Sequence, residues 1–123
     1  MCGIAGFSYI KPNKKNSKRF FNIEKYLSHR GPENSGFFKN PHLDLIHTRL
    51  SIVDIKGGNQ PIQNKRYVLV VNGEIYNDPE IRKKNQSYKF VTNSDSESIL
   101  ALYERDGIEG LKFLRGMYAF IIY

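Results

Sequence analysis

The chain opens Met1-Cys2-Gly3-Ile4-Ala5-Gly6-Phe7, and its single cysteine directly follows the initiator methionine. This placement restricts the fold more than any other feature. Cysteine is small enough for an aminopeptidase to remove Met1, which leaves a thiol and a free α-amine on one residue. The amine titrates at roughly 7.7 to 8.0 and the thiol at roughly 8.5, so near neutral pH the amine can take the thiol proton. Such a residue is a nucleophile carrying its own base, a counterpart of the N-terminal threonine arrangement. Ile4, Ala5 and Phe7 are expected to form a short buried strand holding the terminus inside the fold, with Gly3 and Gly6 allowing tight turns and close approach. A lone cysteine is also commonly a small buried hydrophobe. Both readings stand until the rest of the chain is considered.

At 123 residues the chain fits one domain with a real core. One cysteine excludes an internal disulfide framework and suits a reducing compartment. The N-terminus lacks the basic segment and long apolar run of a signal peptide, which also sets aside a lipoprotein role for Cys2. No apolar run is long enough to span a membrane. A soluble, cytoplasmic protein without a membrane partner is expected. The net charge of +7 raises nucleic acid as a partner, but much of the excess lies in the loop Lys11 to Arg19, which has no interleaved aromatics. A solvated basic loop is the better account, and no zinc spacing or other metal motif is present.

Along the chain, Phe20, Ile23 and Leu27 recur at helical spacing, predicting a helix over Ser17 to Arg30 that stops at Gly31-Pro32. Arg30 to Gly36 reads as a turn-rich segment. Leu43 to Ile55 is apolar and β-branched, predicting one or two strands buried on both faces. Within it, Arg49 needs a partner, either Asp54 as an ion pair or a ligand carboxylate. His47 is expected to pack or hydrogen-bond in the core. Lys56 to Pro61 is a loop. The strand Tyr67 to Val71 runs into Asn72-Gly73-Glu74-Ile75-Tyr76-Asn77, where Asn-Gly is either a hairpin turn or a close backbone approach to a ligand. In the second case the Asn72 amide and the Gly73 N–H are adjacent neutral donors suited to an oxyanion. A short helix over Pro79 to Lys84 and a strand over Tyr88 to Thr92 follow. Ser94-Asp95-Ser96-Glu97 has capping-box form before a helix reaching Gly107. Asp95 then either stabilises the first helical turn or faces a pocket. A short helix from about Ile108 to Leu114 precedes an apolar strand, Met117 to Tyr123.

A site combining Cys2, Arg49, Asn72, Gly73, Glu74 and Asp95 suits an α-carboxylate, an α-ammonium and an acyl group to be attacked, which is the charge pattern of free glutamine. The motifs Cys2 to Phe7, Arg30 to Glu33, Arg49 to Asp54, Asn72 to Asn77, Ser94 to Glu97 and Arg115 to Phe120 occur in order. Together they resemble the glutaminase domain of glutamine-hydrolysing asparagine synthetases, among the class II glutamine amidotransferases. The resemblance implies an α+β fold, an αββα sandwich of the N-terminal-nucleophile hydrolase type. It implies Cys2 as nucleophile, Asn72 and Gly73 as oxyanion hole, and Arg49 on the α-carboxylate. Glu74 and Asp95 would hold the α-ammonium, with backbone groups of Leu50, Ser51, Ile52 and Val53 lining the pocket. Glucosamine-phosphate synthases and phosphoribosyl amidotransferases share the opening Cys-Gly-Ile, but resemble Arg49 to Asp54 and Asn72 to Asn77 less.

Position 33 is Glu where the family usually has Asp. In the family, further strands and a synthetase domain follow, so residues 1–123 are expected to be the N-terminal part of a type 2 amidotransferase domain, truncated at its C-terminal side. No cofactor is expected here; ATP and Mg belong to the synthetase domain. The implied partners are glutamine and a synthetase domain or subunit receiving ammonia, with a homodimer left open. The rival reading is a non-catalytic or partner-completed fragment with another acceptor, since an apolar final strand is an edge needing cover.

Overall fold

Strand pairing divides the chain into two antiparallel sheets. In the first, β1 (Gly3–Ser8) and β2 (Asn34–Lys39) flank β3 (Leu43–Arg49); in the second, β4 (Ile62–Gln63) and β6 (Gly116–Ile122) flank β5 (Val68–Ile75). Helix α1 (Arg19–Leu27) follows β1, while α2 (Asp78–Lys84), α3 (Glu97–Asp106) and a 3-10 helix (Gly107–Phe113) lie between β5 and β6. The computed structural model describes residues 1–13 and 19–123. The basic loop expected over Lys11 to Arg19, and the first two residues of the helix expected over Ser17 to Arg30, therefore fall largely outside the described residues.

Alternation along each strand assigns the layers. In β3, Leu45 pairs with Gly6 and Phe38, and His47 with Ile4 and Gly36. Leu45 packs on Val68 and Val70 of the second sheet, so this face lies between the sheets. The opposite face meets α1, where Thr48 Oγ1 donates to the Leu27 carbonyl at 3.1 Å. On the far side of the second sheet, Leu69, Val71 and Ile75 pack on Ile81, Ile99, Leu100 and Leu102 of α2 and α3. Leu69, Ile99 and Leu100 are fully buried, and burying each such side chain contributes about 1.5–3 kcal/mol. The order is helix, sheet, sheet, helices: the expected αββα sandwich.

Several local expectations change once pairing is known. Ile4, Ala5 and Phe7 are only half-buried, because β1 is an edge strand. Asn34, Ser35 and Gly36 belong to β2 instead of a turn. The run Leu43 to Ile55 is strand only to Arg49, because the Arg49 guanidinium draws the carbonyls of Val53, Asp54 and Ile55 back onto it. Asn72-Gly73 is no hairpin turn: β5 continues through it, paired with β6. Tyr88 to Thr92 forms no strand, since the Val91 and Thr92 N–H groups donate to the buried Glu97 carboxylate. That interaction also replaces the capping box, and Ser94 N–H bonds Thr92 Oγ1 instead. The last short helix is a 3-10 turn.

Gly36 faces between the sheets opposite His47. A Cβ there would lie 1.7 Å from the Gln60 carbonyl oxygen, a main-chain atom that cannot swing aside. Gly36→Ala is expected to destabilise the fold by about 2–3 kcal/mol through overpacking, read as a lower urea midpoint.

His47 hydrogen-bonds in the core as expected, and the bond bridges the sheets, its Nε2 lying 3.2 Å from the Val71 carbonyl. The ring is 1% exposed, and Nδ1 has no partner. Burial pushes its pKa down from 6.5 to about 4. The unfolded chain thus binds this proton more readily than the folded chain. Stability is therefore whole above pH 6.5, declines as pH falls, and stops declining on this account below about 4. The loss amounts to on the order of 3 kcal/mol. Urea midpoints between about pH 7 and 4 should show this slope, and His47→Gln should flatten it.

Candidate active site

The ends of both sheets, the N-terminal residues and two loops line a cavity of about 470 Å³, within the range of small-molecule sites. Of the predicted site residues, Cys2, Arg49, Leu50, Ile52, Val53, Asn72, Gly73, Glu74 and Asp95 line it. Ser51 does not; its N–H turns away to the Glu33 carboxylate at 3.0 Å. Hydrogen bonds from the Ser51 side chain and main chain hold the Glu33 pKa below its usual value. The Glu at position 33 is thereby accommodated, as the anchor of this loop.

Cys2 reaches the cavity because β1 pairs with β3 in the register Gly3 to Thr48, which brings it alongside the end of β3. Its half-buried thiol lies between the Leu50 N–H at 3.4 Å and the Leu50 carbonyl at 3.6 Å. Arg30 Nε donates to the Cys2 carbonyl at 3.0 Å, fixing the terminal backbone. Met1 is 68% exposed at the cavity rim, accessible for removal.

The second sheet supplies the facing wall. In antiparallel pairing, N–H groups of alternate residues point toward the partner strand or away from it. Val68 and Tyr123 exchange both bonds, so the Leu69, Val71, Gly73 and Ile75 N–H groups point away from β6. Strand β4 covers only the start of this edge, pairing Val68 and Leu69. Beyond it, Val71 N–H donates to Gln60 Oε1 and Ile75 N–H to Asp95 Oδ2, both at 2.6 Å. The Gly73 N–H between them has no side-chain acceptor among the described residues. Asn72, one residue earlier, has a buried Oδ1 with no partner. An amide left unsatisfied inside a fold marks a site of function or an absent ligand. Gly73 is required by the pairing itself: its φ is +149°, and a Cβ would stand 2.0 Å from the Met117 carbonyl oxygen.

Arg49 is 6% exposed. Of the two partners the sequence offers for it, Asp54 forms no ion pair with it. The guanidinium instead donates to the main-chain carbonyls of Val53, Asp54 and Ile55 and to Asn59 Oδ1. Among the described residues no carboxylate lies within ion-pair distance of it, so a nearly buried positive charge lines the cavity without an ion-pair partner among them. Asp95 is 8% exposed; one of its oxygens holds Ile75 N–H, and the other takes no hydrogen bond from the described residues. Glu74 lies exposed on the same wall.

Gly58, Gln60, Ser94, Ser96, Met117, Tyr118 and Ala119 also line the cavity, and residue type alone does not single them out. Met117 and Ala119 pair with Glu74 and Asn72 and so share their face, a consequence of register that alternation along one strand cannot supply. Gln60 is visible in the sequence only as a loop residue before proline.

An αββα sandwich with a cysteine at its N-terminal edge, facing amide donors that no acceptor among the described residues claims, fits an amidotransferase of the N-terminal-nucleophile class. The glutamine amidotransferase domain family matches residues 1–123, and the chain belongs to it. It is 44% identical over 127 residues to asparagine synthetase B [glutamine-hydrolyzing] of Escherichia coli (strain K12), covering all of this chain and 23% of that protein. It is 38% identical over 125 residues to asparagine synthetase [glutamine-hydrolyzing] 1 of Arabidopsis thaliana, covering 99% of this chain and 21% of that protein. Among solved structures it is similar to glutamine phosphoribosylpyrophosphate amidotransferase from B. subtilis, complexed with ADP and GMP, with a TM-score of 0.52 and 25% identity. That match covers 65% of this chain and 21% of the other. The chain thus spans less than a quarter of the length of these relatives. Among the described residues no helix is long and apolar enough to cross a membrane.

Proposed function

We propose that the chain hydrolyses glutamine to glutamate and ammonia, as the amide-donor part of an asparagine-synthetase-like protein. The observation that carries this reading is the shared cavity: the Cys2 thiol lies on one wall, the Asn72 side-chain amide and the Gly73 N–H, neither donating to an acceptor among the described residues, on the other, and Arg49, in no ion pair among the described residues, beside them. With Met1 removed, the Cys2 amine takes the thiol proton and the thiolate attacks the side-chain carbonyl carbon of glutamine. The resulting oxyanion accepts hydrogen bonds from Asn72 and Gly73, the type of stabilisation that commonly contributes most to acyl transfer. The C–N bond then breaks, the amine returns its proton to the leaving nitrogen, and ammonia departs from a glutamyl thioester. Water attacks the thioester, releasing glutamate and restoring the thiol. Arg49 attracts the α-carboxylate, while Asp95 and Glu74 hold the α-ammonium; Leu50, Ile52 and Val53 close the side of the cavity.

The ammonia acceptor belongs to a synthetase domain or subunit, where ATP and Mg are expected, in a cytoplasmic protein. The test is glutamate release from glutamine by the 123-residue chain, with intact mass reporting whether Met1 is gone. Release by the processed chain supports the reading. No release from chain lacking Met1 overturns independent activity and favours the partner-completed fragment. The free edge of β6, where Met117 and Tyr118 are 65% and 39% exposed, is the observation behind that second reading; a compact, active monomer in size-exclusion chromatography would exclude it.

A further inference from the structure

We propose that Asp54 is a positioning residue that clasps the two walls of the cavity together and thereby sets glutamine affinity; this rests on the glutaminase reading above. Among the described non-glycine residues, Asp54 alone has a positive φ, +49°. A left-handed backbone is uncommon outside glycine and persists where the surroundings over-determine it. Here four hydrogen bonds do so. The Asp54 carbonyl accepts from Arg49 Nη2 at 2.6 Å and from Gly58 N–H at 2.8 Å. Its carboxylate accepts from Gly57 N–H at 3.0 Å through Oδ1 and from Asn93 N–H at 2.9 Å through Oδ2.

The last of these bonds crosses between separate cavity loops. One loop, after β3, carries Leu50, Ile52, Val53 and Gly58; the other, before α3, carries Ser94, Asp95 and Ser96. The second is already fixed to the helical layer. Arg82 donates to the Thr92 and Ser94 carbonyls, and Glu97 receives the Val91 and Thr92 N–H groups. The first loop has no comparable anchor to that layer among the described residues, and Asp54 fastens it there. The clasp therefore fixes the distance between Arg49, at the root of one loop, and Asp95 on the other, the groups assigned to the two charges of the amino acid. Asp54 does not line the cavity, so it acts through these neighbours.

The clasp makes two N–H groups share one carboxylate. Asp54→Asn tolerates the left-handed backbone but offers only one side-chain acceptor, so one of the two bonds is lost. Asp54→Gly loses both and relieves the backbone strain. In the chain freed of Met1, KM for glutamine should rise roughly 3- to 10-fold in Asp54→Asn and more in Asp54→Gly, with kcat within about twofold of wild type. Loss of uniform binding takes that form. The thermal midpoint of Asp54→Gly should stay near wild type, because relief of strain offsets the lost bonds. Unchanged KM in both variants overturns the proposal, as does a fall in kcat alone. If wild type releases no glutamate, independent glutaminase activity fails by itself, and amide exchange in the unliganded chain decides about the clasp. Leu50 and Ser51 N–H, remote from Asp54 in their hydrogen bonds, should exchange faster in Asp54→Asn. Faster exchange confined to Gly57 and Asn93 denotes a local turn only and overturns the proposal.

Discussion

Cys2→Ala is expected to reduce glutamate release from glutamine by on the order of 10⁴-fold or more, the scale on which losing a covalent nucleophile falls. The effect follows from what the cavity contains. Cys2 is the only cysteine in the sequence, and it stands against Leu50 with its carbonyl held by Arg30. Alanine keeps the small volume at this edge, and the sulfur's hydrogen bonds with Leu50, at 3.4 and 3.6 Å, are weak ones. The fold should therefore persist, with stability read from the urea midpoint changed by less than about 1 kcal/mol. Glutamine binding should persist too, since the groups for its charged end, Arg49, Asp95 and Glu74, are untouched. The measurement is single-turnover glutamate release together with equilibrium binding of glutamine. Release at more than about a hundredth of the wild-type rate would remove Cys2 from the role of nucleophile.

Asn72→Ala is expected to lower kcat by about 10²- to 10³-fold with KM little changed, the cost of deleting one oxyanion donor. The split follows from when the interaction forms. A donor that strengthens its bond only as charge develops on the attacked carbonyl lowers the barrier without tightening the ground state. The same substitution should leave stability unchanged or raise it slightly, because it deletes a buried Oδ1 that has no partner. An unsatisfied buried acceptor costs about 1–3 kcal/mol, against the small packing loss of shortening a half-buried side chain. A residue that loses activity while gaining stability has been retained for function. A kcat within about threefold of wild type would place the oxyanion elsewhere, and a matching loss of stability would make Asn72 structural.

Most of the elements were legible because they rest on residue type and local period, and the layer order followed from the family that the motifs resemble. The apolar runs at Leu43, Tyr67 and Met117 and the helical spacing from Ile99 to Tyr103 each specify an element with little help from elsewhere. The site was legible for a related reason. A cysteine at the terminus, Asn-Gly after an apolar strand and an arginine inside one are chemically conspicuous, and in order they mark the family. Ser51 shows the limit of reading a motif as a block. Its N–H is held by Glu33, and its neighbours Leu50, Ile52 and Val53 line the cavity without it.

Element ends and polar partners were not legible, because non-local bonds decide them. Tyr88 to Thr92 has strand composition, yet the carboxylate of Glu97 claims its N–H groups. Asn72-Gly73 has turn composition, yet pairing with β6 carries the strand through it. Arg49 and Asp54 suggest an ion pair by sign and spacing, yet main-chain carbonyls take the guanidinium while Gly57 and Asn93 take the carboxylate. Hydrophobic pattern and side-chain chemistry are local properties, and they were enough to specify most of the elements and the chemical inventory of the site; the two-sheet sandwich came with the family that the ordered motifs resemble. Three features emerged only in the folded chain: the N–H on the β5 edge that no side chain claims among the described residues, the absence of an ion pair to Arg49 among them, and the bond by which Asp54 joins the cavity walls. Each depends on strand register and on groups far apart in the chain competing for the same hydrogen bonds.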